Sequence, residues 1–139
     1  MRFKNFSIII LHNEKNEIII QDRTSISKNW EKWWFFGWWV EAWETFEEAL
    51  VREAMEELNI DISKNYKYLW TTIFELEWFW VQKTNIYLVK YEKKFDNHLK
   101  VLEWDGWEFI SLENISKLKD FSTWSYLCIE MLKEYFSKK

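Results

Sequence analysis

The stretch FFGWWVEAWETFEEALVREAMEELNI, residues 35–60, decides how the chain is interpreted, because it joins three Trp to an acid-rich segment. Its second half predicts a helix over residues 45–60. Thr45 can cap this helix, since Glu48 stands three residues later in the capping-box arrangement and acids are enriched in the first turn. Its first half predicts a turn built from unusually bulky residues.

The predicted helix carries acidic residues on its apolar side. With about 100° of rotation per residue, Glu53 and Glu57 fall inside the apolar arc and Glu56 falls at its edge. That arc consists of Phe46, Ala49, Leu50, Ala54 and Leu58. Carboxylates among core-facing side chains are costly unless a cation or hydrogen-bond donors compensate them. Because no cluster of Lys matches these acids, a divalent metal such as Mg²⁺ or Mn²⁺ is the natural compensation.

A simpler interpretation stays open at this point. The same residues can form a solvated surface helix in which Arg52 pairs with Glu56 at the i,i+4 spacing. Charge runs are usually solvated faces of a protein. The position of the acids on the helical wheel favours the metal site over this alternative.

The spacing of residues 38–60 resembles the Nudix box, a pattern of Gly, five residues, Glu, seven residues and then Arg-Glu-apolar-x-Glu-Glu-x-Gly-apolar. The matching residues are Glu44, Arg52, Glu53, Ala54, Glu56, Glu57 and Ile60. Fixed spacing over so many positions is a specific signal. Trp38 and Asn59 replace the two Gly of the pattern. Asn59 is the milder change, because Asn tolerates the left-handed conformation of a helix C-cap.

The resemblance implies a fold and a reaction. The implied fold is the α/β Nudix fold, a three-layer α/β/α sandwich with a mixed β-sheet, in a single domain over residues 1–139. The implied reaction is Mg²⁺-dependent hydrolysis of a nucleoside triphosphate to a nucleoside monophosphate and pyrophosphate, or of another nucleoside diphosphate derivative. Two alternatives remain, namely hydrolysis of an ADP-sugar, nucleotide sugar or dinucleoside polyphosphate, and nucleotide binding without turnover.

The resemblance also implies roles for individual residues in the helix. Glu53, Glu56 and Glu57 would hold one or more Mg²⁺ or Mn²⁺ ions. Arg52 would orient a Glu through an ion pair, and Glu44 would assist at the metal site from the preceding loop. The metal would bridge the diphosphate and lower the pKa of an attacking water.

Candidates outside the helix rest on weaker signals. Glu103 is the candidate general base, because some Nudix enzymes place such an acid in the loop before a late strand, and the alternative is an exposed loop Glu. Arg23, Trp38 and Trp39 are the candidate substrate-binding residues. Aromatic residues at 74–80 are further candidates for stacking on a base. The alternatives are a solvent-facing Arg and aromatic rings that pack in the core.

Composition and charge restrict the function further. A length of 139 residues fits one domain. The net charge of −4 argues against a general binder of nucleic-acid polymers, since nothing would attract a phosphate backbone at long range. The N-terminal apolar run is too short for a membrane span, and the single Cys128 fits a reducing cytosol. We therefore expect a cytoplasmic monomer or homodimer with a small nucleotide as its partner, and no nucleic-acid polymer or membrane.

Trp is in excess and Gly is scarce, with 12 Trp, 2 Gly and no Pro. Replacing Trp38 and Trp43 by Gly gives FFGGWVEAGET, a form that is common in Nudix proteins. Turns at these positions are expected to need positive φ, which Trp adopts only with strain. We hypothesise that UGA codons, which denote Gly in the gene's own code, have been read as Trp. UGG codons at positions 38, 39 and 43 would contradict this hypothesis.

The rest of the chain predicts strands around the central helix. Residues 6–13 and 16–23 predict a hairpin, and an irregular stretch follows to about residue 35. Further strands are predicted at 66–80, 83–94 and 107–112, and helices at 112–119 and 123–139. This order of elements favours a mixed sheet that is covered on both faces.

Overall fold

The structure, a computed structural model, describes residues 2–22, 33–75, 80–95, 106–117 and 123–138. Its strands are β1 (Arg2–His12), β2 (Ile18–Asp22), β3 (Trp33–Trp34), β4 (Phe36–Trp39), β5 (Tyr66–Glu75), β6 (Trp80–Lys90) and β7 (Gly106–Ile110). Its helices are α1 (Phe46–Glu53), α2 (Leu112–Ile115) and α3 (Thr123–Ser137), with a π-helical turn at Ala54–Leu58 and a 3-10 turn at Lys93–Phe95. The predicted α/β class is confirmed.

The chain divides into two compact units. The first contains residues 1–11 and 36–102, and the second contains residues 12–35 and 103–139. Helix α1 and all the acids predicted to bind a metal lie in the first unit. The prediction of a single domain over the whole chain stays a prediction.

The sheet of the first unit is built on β1. Strand β1 pairs antiparallel with β4, so that Phe6 lies opposite Trp39 and Ser7 opposite Trp38. Strand β6 lies beside β1 and pairs antiparallel with β5, with a register shift after Tyr68. The central residues of β1, which are continuously apolar, are buried at Ile8, Ile9, Ile10 and Leu11. A continuous apolar run of this kind is typical of a strand that is covered on both faces.

The second unit confirms the predicted hairpin. His12 at the end of β1 pairs with Ile18 at the start of β2. The Asn13 side chain stabilises the connecting turn, because its Oδ1 accepts hydrogen bonds from the backbone N–H groups of Lys15 and Glu17, each at 3.0 Å. Strand β2 pairs antiparallel with both β3 and β7. Strand β3 lies within the stretch that the sequence predicts to be irregular, so that prediction is wrong for residues 33–34.

No helix among the described residues is both long enough and apolar enough to cross a membrane. The longest described helix, α3, has 15 residues. A membrane-spanning helix needs about 20 apolar residues.

Helix α1 begins as the sequence predicts. Thr45 is the N-cap, its Oγ1 accepts a hydrogen bond from the backbone N–H of Glu48 at 3.1 Å, and the Glu48 carboxylate accepts from the backbone N–H of Thr45 at 3.0 Å. The reciprocal pair satisfies two backbone donors that the first turn leaves unpaired. Ala49 and Leu50, on the inner face of the helix, are fully buried.

The end of the helix differs from the prediction. Residues 54–58 form a π-helical turn rather than a continuation of the α-helix, and Ile60 donates its backbone N–H to the carbonyl of Ala54 at 3.3 Å. Such π-turns are found mostly inside α-helices at functional sites. Asn59 then adopts the left-handed conformation with φ of 58°, which confirms that Asn can replace the Gly of the motif at this C-cap.

The Trp-rich stretch is partly a strand. Strand β4 includes Trp38 and Trp39, and among the described residues only Asn16 and Asn59 have positive φ without being Gly. The expectation that positions 38 and 43 require positive φ is therefore wrong. Gly37 is required for a different reason, because a Cβ at that position would lie 2.7 Å from the Phe6 ring. The recoding hypothesis keeps only its support from composition and from the motif.

Candidate active site

Arg52 lies at the centre of the acidic residues that the sequence singles out. Its Nε donates to one carboxylate oxygen of Glu44 at 3.1 Å and its Nη2 donates to the other at 2.7 Å. This two-point contact, which we call the fork, matches the planar geometry of a guanidinium and a carboxylate. The Glu44 side chain is 5% exposed, so the fork ties the loop before α1 to the helix through a buried acid.

The third guanidinium nitrogen serves two further acids. Arg52 Nη1 donates to Glu53 at 2.8 Å and to Glu56 at 3.1 Å. Glu53 is 17% exposed and Glu56 is 56% exposed. One cation therefore contacts three carboxylates that are spread over 13 residues of the chain. The predicted i,i+4 pair of Arg52 with Glu56 is present, but it is only one part of this cluster.

The electrostatics of these acids differ in sign. The hydrogen bonds from Arg52 lower the pKa of Glu44 below its ordinary value, and they exceed the opposing effect of burial. Burial raises the pKa of Glu53, and repulsion by Glu56 and Glu57 adds to this effect, although Arg52 opposes it. The same contacts raise the pKa of Arg52, so its guanidinium stays charged. Glu53 is thus an acid whose ionised form lacks sufficient compensation.

A divalent metal fits these residues by chemistry and charge. Glu53, Glu56 and Glu57 supply only carboxylate oxygens, the ligands that Mg²⁺ and Mn²⁺ prefer. Their side chains are not arranged around a common point, because Arg52 holds Glu53 and Glu56. In the part of the chain that the structure describes, no group of three or more His, Cys, Asp or Glu side chains is arranged to hold a metal ion. Metal binding at these acids therefore requires their side chains to turn.

The start of α1 is fixed to the sheet by polar contacts. Ser7 on β1 is fully buried, and its Oγ donates to the backbone carbonyl of Phe46 at 2.9 Å. Lys83 on β6 lies 5.8 Å from the centre of the Phe46 ring, within range of a cation–π contact. Burial, with a contribution from Glu47, raises the pKa of Tyr87 on β6 to about 12. The first helical turn therefore contacts two neighbouring strands, which positions the Arg52 cluster.

An open cleft of about 580 Å³ lies beside Glu44 and Arg52 of the cluster. It is lined by Trp43, Glu44, Glu47, Glu48, Val51, Arg52 and Tyr66. Trp43 is 80% exposed. The indole therefore lies beside the fork, at the position where the motif is commonly occupied by Gly.

Trp38 and Trp39, the predicted substrate-binding residues, lie on β4. Trp38 is half-buried opposite Ser7, whereas Trp39 is 51% exposed and lies against the Phe6 ring with centroids 4.9 Å apart. The Nζ of Lys4 lies 5.7 Å from the Trp39 ring and 4.9 Å from the Trp80 ring. We call Lys4, Trp39 and Trp80 the basic aromatic surface.

The sequence analysis did not identify Lys4 or Arg2 as candidates. Arg2 also lies over the Trp80 ring, at 5.5 Å. Strand alternation was the available signal, because it places residues 2, 4 and 6 on one face of β1. Arg23 and Glu103, the other two predicted site residues, lie outside the described residues.

Comparison with known proteins agrees with the motif. The family profile described as NUDIX domain matches residues 1–132. No curated protein matches the chain in sequence.

Solved structures with a similar fold include the following three proteins. The MutT protein from Methanosarcina mazei has a TM-score of 0.78 at 20% identity, over 99% of this chain and 97% of its own. The Ap4A hydrolase from C. elegans has a TM-score of 0.68 at 14% identity, over 96% and 99%. The dihydroneopterin triphosphate pyrophosphohydrolase from E. coli has a TM-score of 0.68 at 15% identity, over 94% and 97%. At these identities the likeness shows the fold alone.

Proposed function

Because the chain belongs to the Nudix family, we propose that it is a Mg²⁺-dependent pyrophosphohydrolase that converts a nucleoside triphosphate to a nucleoside monophosphate and pyrophosphate. Nudix hydrolases are enzymes that act on nucleoside diphosphate derivatives, and they generally use divalent metal ions. The observation that carries the proposal is the group of three carboxylates around Arg52, beside a fourth at Glu57. These are the acids of the motif at the spacing that the family requires.

Glu53, Glu56 and Glu57 would hold the Mg²⁺ or Mn²⁺ ion. When bound, such an ion neutralises charge on phosphoryl oxygens and makes a water a better nucleophile at neutral pH. The raised pKa of Glu53 supports this assignment, because a nearby cation would stabilise its ionised form. The fork between Arg52 and Glu44 would hold the loop before α1 in place against the helix while Glu53, Glu56 and Glu57 bind the ion.

The proposed reaction forms one bond and breaks one. The oxygen of a water forms a bond to the α-phosphorus, which carries the nucleoside. The bond between that phosphorus and the oxygen that bridges it to the β-phosphate breaks, so that pyrophosphate leaves. A general base takes the proton of the water, and we assign this role to Glu103 on the basis of its place in the sequence. Glu103→Gln would then lower kcat and leave KM nearly unchanged.

The basic aromatic surface supports binding of the nucleotide. We infer that Trp39 and Trp80, over which Lys4 lies in this structure, stack on a planar base when Lys4 turns to a phosphate, a contact worth about 1–3 kcal/mol per base. Lys4 supplies positive charge between them for a phosphate. Arg23 and Trp38 are further substrate-binding candidates, Arg23 for a phosphate and Trp38 from strand β4 at the start of the motif.

Assays with a set of nucleotide substrates test the proposal. Nucleoside triphosphates, deoxynucleoside triphosphates, ADP-ribose and dinucleoside polyphosphates are incubated with the protein and Mg²⁺, and the phosphate-containing products are identified. Pyrophosphate and a nucleoside monophosphate are expected from a triphosphate, and no products from Glu56→Gln. Preferred cleavage of ADP-ribose or of a dinucleoside polyphosphate would reassign the substrate. A folded protein that cleaves nothing would instead indicate a nucleotide-binding module.

A base-free substrate tests the basic aromatic surface separately. Lys4→Gln and Trp80→Ala should raise KM for the nucleoside triphosphate. For inorganic tripolyphosphate, which has no base, Trp80→Ala should leave KM unchanged. Equal effects of Trp80→Ala on both substrates would show that the ring does not contact the base.

The partner and location follow from the same reasoning. We propose a small nucleotide as the partner, with no nucleic-acid polymer, because the net charge of −4 disfavours a phosphate backbone. The lone Cys128 is buried and fits a cytoplasmic protein. Light scattering of the purified chain would distinguish a monomer from a homodimer.

A further inference from the structure

Arg52 makes two kinds of contact, which differ in how easily they can be given up. The fork holds Glu44, whose side chain is 5% exposed, whereas Nη1 holds Glu53 and Glu56 at 17% and 56% exposure. Breaking the fork would remove two charge-assisted hydrogen bonds from Glu44, whereas Glu53 and Glu56 would each lose one on release of Nη1. Breaking the Nη1 contacts would leave two carboxylates that solvent or another cation can reach. The Nη1 side of the guanidinium is therefore the easier one to release.

Negative charge also exceeds positive charge at the Nη1 side. One guanidinium contacts three carboxylates, and Glu57 lies close enough to Glu53 to act on it electrostatically. The fork uses two of the three guanidinium nitrogens of Arg52, so a single nitrogen is left for Glu53 and Glu56. This local excess of negative charge attracts a second cation.

We propose that Arg52 is an internal counter-ion that competes with the divalent cation for Glu53 and Glu56. In the cation-free protein Nη1 holds both acids, and binding of the cation releases them while the fork on Glu44 stays intact. This inference rests on the proposed function, because it concerns the metal that the proposed reaction requires. Arg52 is thus a positioning residue whose hold on two acids lowers the affinity of the site for its cation.

If Arg52 competes with the cation, weakening its hold on Glu53 and Glu56 should raise the affinity for the cation. An ion pair that only supports the fold would not have this effect. Lys carries one compact ammonium group and cannot form a fork while also reaching a second set of acids. In Arg52→Lys the ammonium should stay with Glu44, the acid that receives two of the four hydrogen bonds of Arg52. Glu53 and Glu56 would then have no competitor. The affinity for a divalent cation should rise by about two- to tenfold, the equivalent of one or two partly exposed ion pairs.

The test measures Mn²⁺ binding to the full chain without nucleotide. Free Mn²⁺ is followed by electron paramagnetic resonance in the wild type, in Arg52→Lys and in Arg2→Lys. Arg2→Lys makes the same chemical change over the Trp80 ring, away from the acids, so its affinity should equal that of the wild type. Circular dichroism checks that each variant is folded.

A second measurement uses the wild type alone, in case Arg52→Lys does not fold. Nitrogen-15 NMR resolves the guanidinium signals, and Mg²⁺ should shift the Nη1 signal of Arg52 while the Nε signal that reports the fork stays in place. Tighter Mn²⁺ binding in Arg52→Lys, or this selective shift, would support the inference. Unchanged or weaker binding in a folded Arg52→Lys, or an unaffected Nη1 signal, would overturn it.

Failure of the proposed function is distinguishable from failure of this inference. A wild type that binds neither Mn²⁺ nor Mg²⁺ would refute the metal site itself, and the counter-ion role would fall with it. A wild type that binds Mn²⁺ normally and an Arg52→Lys variant that binds no more tightly would refute only the counter-ion role.

Discussion

Residues 36–43 and residues 44–60 are adjacent in the chain but differ in their side-chain contacts. The first segment exposes large aromatic side chains, whereas the second ties its polar side chains into hydrogen bonds. In the first segment Trp43 is 80% exposed and Trp39 is 51% exposed. In the second, the Glu44 side chain is 5% exposed and bound by the fork, and Thr45 and Glu48 cap each other's backbone. In the first segment Gly37 is constrained by the Phe6 ring, and Phe36 is buried in the core. The comparison indicates that stability depends on the helix, its cap and the buried residues of β4, and that the exposed Trp43 can be replaced at little cost.

Loss of a carboxylate on the helix should have the largest effect. Glu53→Gln should lower kcat/KM for the best nucleotide by about 10²–10³, because a ligand of the reaction's charge-stabilising ion is lost. Glu48→Gln is the matched control, since Gln preserves the capping box and removes one charge from the same helix. Equal losses in both variants would mean that total charge, and not the ligand position, matters.

Gly37→Ala should show that one position of the Trp-rich segment does matter. The added Cβ would meet the Phe6 ring at 2.7 Å, which forces the ring to shift. We expect a loss of about 1–3 kcal/mol in the free energy of unfolding, measured by urea denaturation. A Phe6→Leu background should relieve only part of this loss, because the added Cβ would also lie 2.9 Å from Cγ1 of Ile8. If Gly37→Ala is neutral in the wild-type background, the contact with Phe6 does not limit this position.

Thr45→Ala should cost less, about 1 kcal/mol in the free energy of unfolding, because one side of the capping box is lost. Thr45→Ser retains the hydroxyl and should restore most of the stability. Chemical denaturation of the three proteins under identical conditions provides the comparison. A Thr45→Ser variant as unstable as Thr45→Ala would show that the methyl group, and not the cap, is responsible.

The fork should make stability depend on pH in one direction. The pKa of Glu44 is lowered below its ordinary value of 4.5, chiefly by its hydrogen bonds from Arg52. The ionised carboxylate is therefore more stable in the folded protein than in the unfolded chain. The contribution is fully present above that ordinary value and is lost as the pH falls through the lowered pKa. The difference in stability between the wild type and Glu44→Gln should therefore shrink in acid, in buffer with a chelator. A difference that grows as the pH falls would contradict the sign of this shift.

Trp43→Gly should have the smallest effect. The side chain is 80% exposed, so the loss comes chiefly from the greater backbone freedom of Gly in the unfolded chain and should be about 0.5–1 kcal/mol. Thermal denaturation should place the two proteins close together, with turnover equal or higher in Trp43→Gly because the cleft beside the fork opens. A large loss of stability would show that the indole has a structural role.

Local features of the molecule were predictable from the sequence. The cap at Thr45, the left-handed Asn59 and the hairpin before residue 22 depend on neighbouring residues, so short-range rules identify them. The spacing of the acids identified the family, and the match over residues 1–132 confirms it together with the mixed-sheet Nudix fold.

Features that depend on distant residues were not predictable. The sharing of Arg52 among three acids requires the loop before α1 to fold back, and the spacing alone indicated only the pair with Glu56. The strand β4 forms because β1 offers a partner, which overrides the bulk of its Trp. The basic aromatic surface joins β1, β4 and β6, three elements that are far apart in sequence. The π-helical turn has no signal in the sequence that we can identify.

The central claim is that the carboxylates of residues 53–57 act through a divalent ion on a nucleotide anhydride. The most direct measurement is the rate of pyrophosphate release from a nucleoside triphosphate as a function of free Mg²⁺, for the wild type and for Glu56→Gln. We expect no release in the presence of a chelator, saturation of the wild-type rate as Mg²⁺ is added, and little release from Glu56→Gln at any concentration. Pyrophosphate release that persists in the chelator, or a Glu56→Gln variant as active as the wild type, would contradict the claim.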